Sequence, residues 1–214
     1  KKFFILFCLI ISCSNPTENN EIDSKIYLQI LQMTLKEKIG QMAQINLTVI
    51  TEGPDKWSSF EPIKLDSKKL RKAILEYKIG SVLNTANNQA RKPELWNKII
   101  GEIQNVAINE SRLGIPIIYG IDAIHGTTYT DGATMFPQQI TTAASWNPQN
   151  AYNMAFVCAY ETRASSIPWN FSPVLDLGLD PRFPRQFETF GEDPLLVERF
   201  GVEMIRGYQG IDNN

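Results

Sequence analysis

Apolar residues recur at helical spacing through Ser24–Ile45, where Ile26, Ile30, Met33, Ile39, Met42 and Ile45 share a face. Thr34 and Glu37 have the form of a capping box midway, so the stretch predicts one helix or two that meet near Thr34. Asn46–Leu65 holds Gly53-Pro54, Trp57 and Pro62 and predicts a loop. Ser67–Tyr77 is helical again, with Leu70, Ile74 and Leu75 as its apolar face. The short apolar run Ile79–Leu83 predicts a strand. Pro93–Glu110 predicts a helix with Pro in its first turn, ended by Gly114. Ile115–Ile121 predicts a buried strand, Asn147-Pro148 opens a helix to about Ala164, and Ile167–Val174 predicts a third strand. Asp193-Pro194 opens a last helix to about Tyr208.

Strands alternate with helices and no hairpin signal separates them, which predicts an α/β fold with a parallel sheet. An open doubly wound sheet and a (β/α)₈ barrel both fit this order. Neither G-x-G-x-x-G nor a P-loop follows a strand, so nucleotide binding has no motif behind it.

Composition narrows the function classes. The 214 residues are 43% hydrophobic and 21% charged, which is ordinary for a globular chain. Twenty-one basic against 23 acidic residues give a net charge of −2, so nucleic-acid binding has no global charge to drive it. The single histidine, His125, excludes a two-His metal site.

The amino terminus has the pattern of an export signal. Lys1-Lys2 is a basic head, Phe3–Ile11 is apolar apart from Cys8, and Ser12-Cys13 precedes a polar stretch. Ile10-Ile11-Ser12-Cys13 resembles a bacterial lipobox, with Cys13 as the lipidated first residue; cleavage near Ser12 or Ser14 as a plain signal peptide is the alternative. The expected organisation is a lipoprotein signal over 1–12, a tether over 13–23 and a catalytic-type domain over 24–214. Lys1 in place of Met, and the ending Asp212-Asn213-Asn214, read as those of a piece of a longer chain.

Chemistry concentrates after the strands. Gly120-Ile121-Asp122-Ala123-Ile124-His125-Gly126 follows one, and Asp176, Asp180, Arg182, Arg185, Glu188 and Glu192 crowd the segment after another. Loops at the carboxyl ends of parallel strands are where α/β folds place ligands. Carboxylates and guanidinium groups hydrogen-bond hydroxyls, and aromatic faces stack on sugar rings, so the mixture suits a polyol. The Gly120–Gly126 segment, Phe136-Pro137-Gln138, Glu161-Thr162-Arg163-Ala164, Phe171–Asp176 and Asp180–Arg185 with Gly191-Glu192-Asp193-Pro194 together resemble family 3 glycoside hydrolases. The likeness begins near Met33 and runs to the end of the chain, and its Gly120–Gln139 stretch is most similar to the bacterial β-glucosidases of the family.

The resemblance implies a (β/α)₈ barrel, incomplete at the carboxyl end of this chain, and a retaining exo-glycosidase that needs no metal or cofactor. A β-linked oligosaccharide is the implied substrate, and a lipid anchor on Cys13 would attach the protein to a membrane of the bacterial envelope. It places the nucleophile and a sugar-binding Lys-His pair beyond Asn214. Asp122 matches the family Asp that accepts hydrogen bonds from the terminal sugar, and Arg185 the Arg that donates to it. Beside them, His125 is read as orienting Asp122 or the substrate, as the alternative to a core role, and Arg182 as bracing the loop. β-Xylosidase, β-N-acetylglucosaminidase and a non-catalytic sugar-binding lipoprotein stand as alternatives.

Read without the resemblance, Asp122 is also a candidate helix N-cap and His125 a core histidine holding its loop. Arg182 and Arg185 are also candidate salt-bridge partners of Glu188, Glu192 or Asp193. Trp146 and Trp169 are expected in the core or a barrel layer, and Cys158 as a small buried hydrophobe.

Overall fold

The computed structural model describes residues 18–210. The expected signal segment, Cys13 and the start of the tether lie outside the described residues. The chain divides into two compact units, Lys1–Thr34 and Leu35–Asn214. In the first, helix α1 spans Glu18–Gln32, so it starts ahead of the expected Ser24 and takes in the last part of the expected tether. No helix among the described residues is long and apolar enough to cross a membrane.

The second unit opens with α2 (Leu35–Gln41) after a break at Met33-Thr34, so of the one helix or two expected here the chain forms two. Strand β1 (Gln44–Asn46) follows at once, then α3 (Ser67–Arg71), whose last turns widen to a π-helix over Lys72–Glu76. The order continues with β2 (Ser81–Leu83), α4 (Pro93–Asn105, with a π-helical end to Glu110) and β3 (Ile118–Ile121). After these come α5 (Gln139–Ala143), α6 (Pro148–Ala164), β4 (Trp169–Asn170) and α7 (Pro194–Gln209). Pro stands at the first turn of α4, α6 and α7, where a missing N–H removes no helical bond. Asp66, Asn147 and Asp193 cap α3, α6 and α7 by accepting from backbone N–H groups of the first turn.

The four strands are parallel and lie side by side in chain order. Ile45 pairs with Val82 and Val82 with Tyr119, while Gly120 pairs with Leu83 on one side and Trp169 on the other. A doubly wound sheet reverses its strand order partway; an unreversed run of βα units is the winding of a barrel. The fold is therefore of the (β/α)₈ barrel class, with four of its strands among the described residues.

The strands are shorter than the extended stretches around them, and side-chain amides finish what the ladder leaves open. Ile117 lies just before β3. Its N–H donates to Gln104 Oε1 at 3.0 Å, and its carbonyl accepts from Gln104 Nε2 at 2.6 Å. Pro116 has no N–H to offer a neighbour, which confines β3 to its second half. β1 was expected within helix or loop, because Ile45 continues the helical spacing of Ile39 and Met42.

Trp96, Ile99, Ile100 and Ile103 form the buried stripe of α4 and pack on Val82, Tyr119 and Ile121 of the sheet. Trp96 meets Tyr119 edge to face at 5.8 Å and donates its indole N–H to Tyr129 O at 2.9 Å. A second cluster joins Met154 and Ala155 of α6 to Phe190 and to Phe200 and Met204 of α7. The two helices approach so closely that a Cβ on Gly207 would sit 2.4 Å from Tyr152 O. Trp146 does not join a core: it sits in the turn before α6 at φ +55° and is 79% exposed. Trp169 is likewise part-exposed, in edge-to-face contact with Phe171 at 4.7 Å.

Trp96→Ala is expected to lower unfolding free energy by about 3–5 kcal/mol. Urea denaturation followed by far-UV circular dichroism measures this; a loss below about 1 kcal/mol would remove Trp96 from the core that carries the sheet.

Candidate functional site

The carboxyl ends of β2, β3 and β4 release the loops 84–92, 122–138 and 171–193. Asp122 is the first residue after β3 and is half-buried. No helix begins there, so it is not an N-cap. Asn84 leaves β2 beside it. Asn84 Nδ2 donates to Asp122 Oδ2 at 2.8 Å, and Asp122 N–H donates to Asn84 Oδ1 at 3.0 Å.

The next residue, Ala123, is fixed as firmly. Its N–H donates to Asn170 Oδ1 at 3.0 Å. Its carbonyl accepts from Asn170 Nδ2 at 3.1 Å, from Tyr208 O–H at 3.3 Å and from the Cys158 thiol at 3.4 Å. Cys158 is buried, as expected, and burial pushes its thiol above the ordinary range.

His125 is half-buried and holds its own loop: Nδ1 lies 2.9 Å from Phe136 O, and Phe136 N–H donates to His125 O at 2.8 Å. A carbonyl only accepts, so Nδ1 carries the proton in this contact. The loop is also hung on α6. Thr127 bonds Thr162 at 2.8 Å, Thr130 bonds Ser165 just past the helix at 2.9 Å, and Thr134 donates to Glu161 from both N–H and hydroxyl.

The segment after β4 is anchored by buried Gln139 of α5, which donates to Val174 O at 2.9 Å and accepts from Val174 N–H at 3.1 Å. Further on, Arg185 grips Glu188 with Nη2–Oε2 at 2.6 Å and Nε at 2.9–3.0 Å from both oxygens. The bonds to Glu188 raise the Arg185 guanidinium above its ordinary value, and the charges of Asp122 and Asp176 add to the effect. Arg185 and Asp122 thus feel each other without a direct ion pair. Arg182 pairs with Asp180 at 2.6 Å and is 89% exposed, so it braces the turn that it sits in. Of the salt-bridge partners considered for these arginines, Glu188 alone is taken, by Arg185.

Sequence reasoning passed over Asn84, Asn170, Gln139, Tyr129, Glu61 and Arg91. Tyr129 lies near Asp122: its phenol is raised first by burial and then by the Asp122 charge. Buried Arg91 bonds Glu61 at 2.9 Å and Ala86 O at 3.0 Å, tying the 46–65 loop to the loop after β2. Among the described residues, no group of three or more His, Cys, Asp and Glu is placed to hold a metal.

The arrangement offers a fixed carboxylate and, across the loops, a guanidinium held by an acid. Such a pair accepts from and donates to hydroxyls. The model of the glycosyl hydrolase family 3 N-terminal domain matches residues 34–212. The chain belongs to this family. A lysosomal β-glucosidase of Dictyostelium discoideum is 36% identical over 86% of the chain, and a periplasmic β-glucosidase of Salmonella typhimurium is 30% identical over 92%. In each case the chain spans 22% of the length of the curated relative. The crystal structure of an exo-1,3/1,4-β-glucanase from a Pseudoalteromonas species superposes with a TM-score of 0.71 at 30% identity, covering 89% of this chain and 22% of that one. Other family matches are named β-xylosidases and a β-N-acetylglucosaminidase.

The Arg91 bond is the main cause that holds the Glu61 carboxyl below its ordinary range. A depressed folded-state pKa gives stability that is present above the unfolded-state value and fades as pH falls through the folded one. Glu61→Gln should therefore be less stable than the parent at pH 7 and lose less stability between neutral and acid pH. Thermal melts across that range test it; parallel losses in the two proteins would contradict it.

Proposed function

We propose that this chain supplies the sugar-holding part of a retaining exo-β-glucosidase that releases terminal β-linked glucose from β-glucan or xyloglucan oligosaccharides. The observation that carries the reading is the Asp122 carboxylate, fixed by Asn84 at the carboxyl end of β3. Family membership over residues 34–212 supports it. Asp122 accepts hydrogen bonds from the sugar's hydroxyls, and Arg185 donates to a hydroxyl from the loop after β4. A charge-assisted bond at such a site is strong and directional, so the ring is held for attack at its anomeric carbon. Retention of configuration then needs a carboxylate nucleophile and an acid/base about 5–5.5 Å apart, with a covalent glycosyl-enzyme between the two steps. Following the family pattern, the nucleophile lies beyond Asn214, so residues 1–214 alone are expected not to hydrolyse.

The proposed setting is the bacterial cell envelope, with Cys13 lipidated and the protein periplasmic or on the outer membrane. The lipobox pattern of Ile10–Cys13 supports this, as does the likeness to a relative named periplasmic. Glucose is preferred over xylose and N-acetylglucosamine because the Gly120–Gln139 stretch is most similar to the glucosidases.

In the full-length protein, Asp122→Asn should lower kcat/KM for a chromogenic β-glucoside by roughly 10²–10⁴-fold, the effect of losing charge-assisted bonds at a half-buried site. A change below about threefold would take Asp122 out of the site. Parallel assays with the β-xyloside and the N-acetyl-β-glucosaminide decide the sugar.

A further inference from the structure

We propose that Asn84 is the positioning residue of the sugar site: it sets the plane of the Asp122 carboxylate and leaves one oxygen of it for substrate. The inference rests on the reading of Asp122 as a sugar ligand. Every polar group of Asn84 is committed. Its N–H donates to Gly120 O at 2.9 Å, and its carbonyl accepts from the buried Tyr119 O–H at 2.6 Å. Its side-chain oxygen accepts from Asp122 N–H at 3.0 Å, and its amide nitrogen donates to Asp122 Oδ2 at 2.8 Å. The backbone is thus pinned to β3 at two points, and the amide reaches across to the residue on which β3 ends.

The reciprocal bond fixes Asp122 at two places, its N–H and its carboxylate, and so leaves the side chain little torsional freedom. Oδ1 takes no hydrogen bond from the protein among the described residues, so its acceptor capacity is left for a ligand. A carboxylate that is already oriented loses less rotamer freedom when a sugar binds, which is the benefit of preorganisation.

The chemistry selects asparagine. Asn84 sits at φ +57°, a left-handed conformation that Asn tolerates better than most residues. Glycine would satisfy that backbone and offer neither bond. Aspartate would keep the acceptor for Asp122 N–H and replace the donor with a second negative charge. Serine carries a single oxygen on a shorter stem and spans one of the two contacts, not both. The donor and the acceptor must stand side by side two bonds from Cβ, which is what a primary amide provides.

The test uses the full-length protein. Asn84→Gly keeps the left-handed backbone, and Asn84→Asp keeps the shape; either serves if the other fails to fold, as judged by circular dichroism. Each should lower kcat/KM for the β-glucoside by roughly 10–100-fold, the scale of one hydrogen bond to a charged group. The same Asn84→Gly change in an Asp122→Ala background should alter kcat/KM for the β-glucoside by less than about threefold, because the carboxylate it positions is gone. Equal losses in both backgrounds would show a general structural role and overturn the proposal. A loss below about threefold in the parent, with Asp122→Asn still strongly impaired, would overturn the positioning role and leave the sugar site standing. If Asp122→Asn itself is harmless, the site reading fails first and this one falls with it.

Discussion

Parallel strands of two to four residues cannot satisfy their own ends. A buried backbone N–H or C=O without a partner is costly, so the ladder must be completed by something else. Here primary amides do it. Gln104 completes the entry to β3, Asn84 binds its exit, Asn170 takes both polar groups of Ala123, and Gln139 takes those of Val174. The loops of the candidate site leave the sheet near the last three of these points. Their geometry therefore depends on three neutral side chains, those of Asn84, Asn170 and Gln139, as much as on the sheet hydrogen bonds.

Two kinds of support serve the two charged groups of the site. Asp122 is held by one neutral amide, that of Asn84, and its negative charge is left largely unspent. Arg185 is held by a full counter-charge at Glu188, which is mostly buried. An ion pair of this kind restrains a long side chain more than it stabilises a fold, because burial of the acid offsets much of the attraction. Arg182 shows the contrast: its pair with Asp180 is formed in water and shapes only a local turn.

Much of this architecture was legible in the residues. Proline at the first turn fixed the starts of α4, α6 and α7, and the alternation of apolar runs with helices pointed to a parallel sheet. Charged and polar residues visibly gather after the strands, and it was the family resemblance that singled out Asp122 and Arg185 among them. What escaped was set by distance or brevity. Gln44-Ile45-Asn46 is too short for alternation to register, and Ile45 extends the period of the preceding helix. α5 is five residues long and carries no capping signal. The amide pairings join residues 38, 47 and 35 positions apart, and no local pattern announces them. Trp146 was read as core from its side chain alone, but its backbone makes the turn before α6 and turns the ring outward.

The loop bearing Asp122 hangs from α6 largely through hydroxyl pairs, Thr127 with Thr162 and Thr130 with Ser165, all buried. Neither pair carries formal charge, so ions in solution have little to screen there. The surface pair of Arg182 weakens as salt rises, whereas the hydroxyl pairs of the Asp122 loop are electrically silent. The Asp122 loop is thus mounted in part on uncharged contacts that respond little to ionic surroundings.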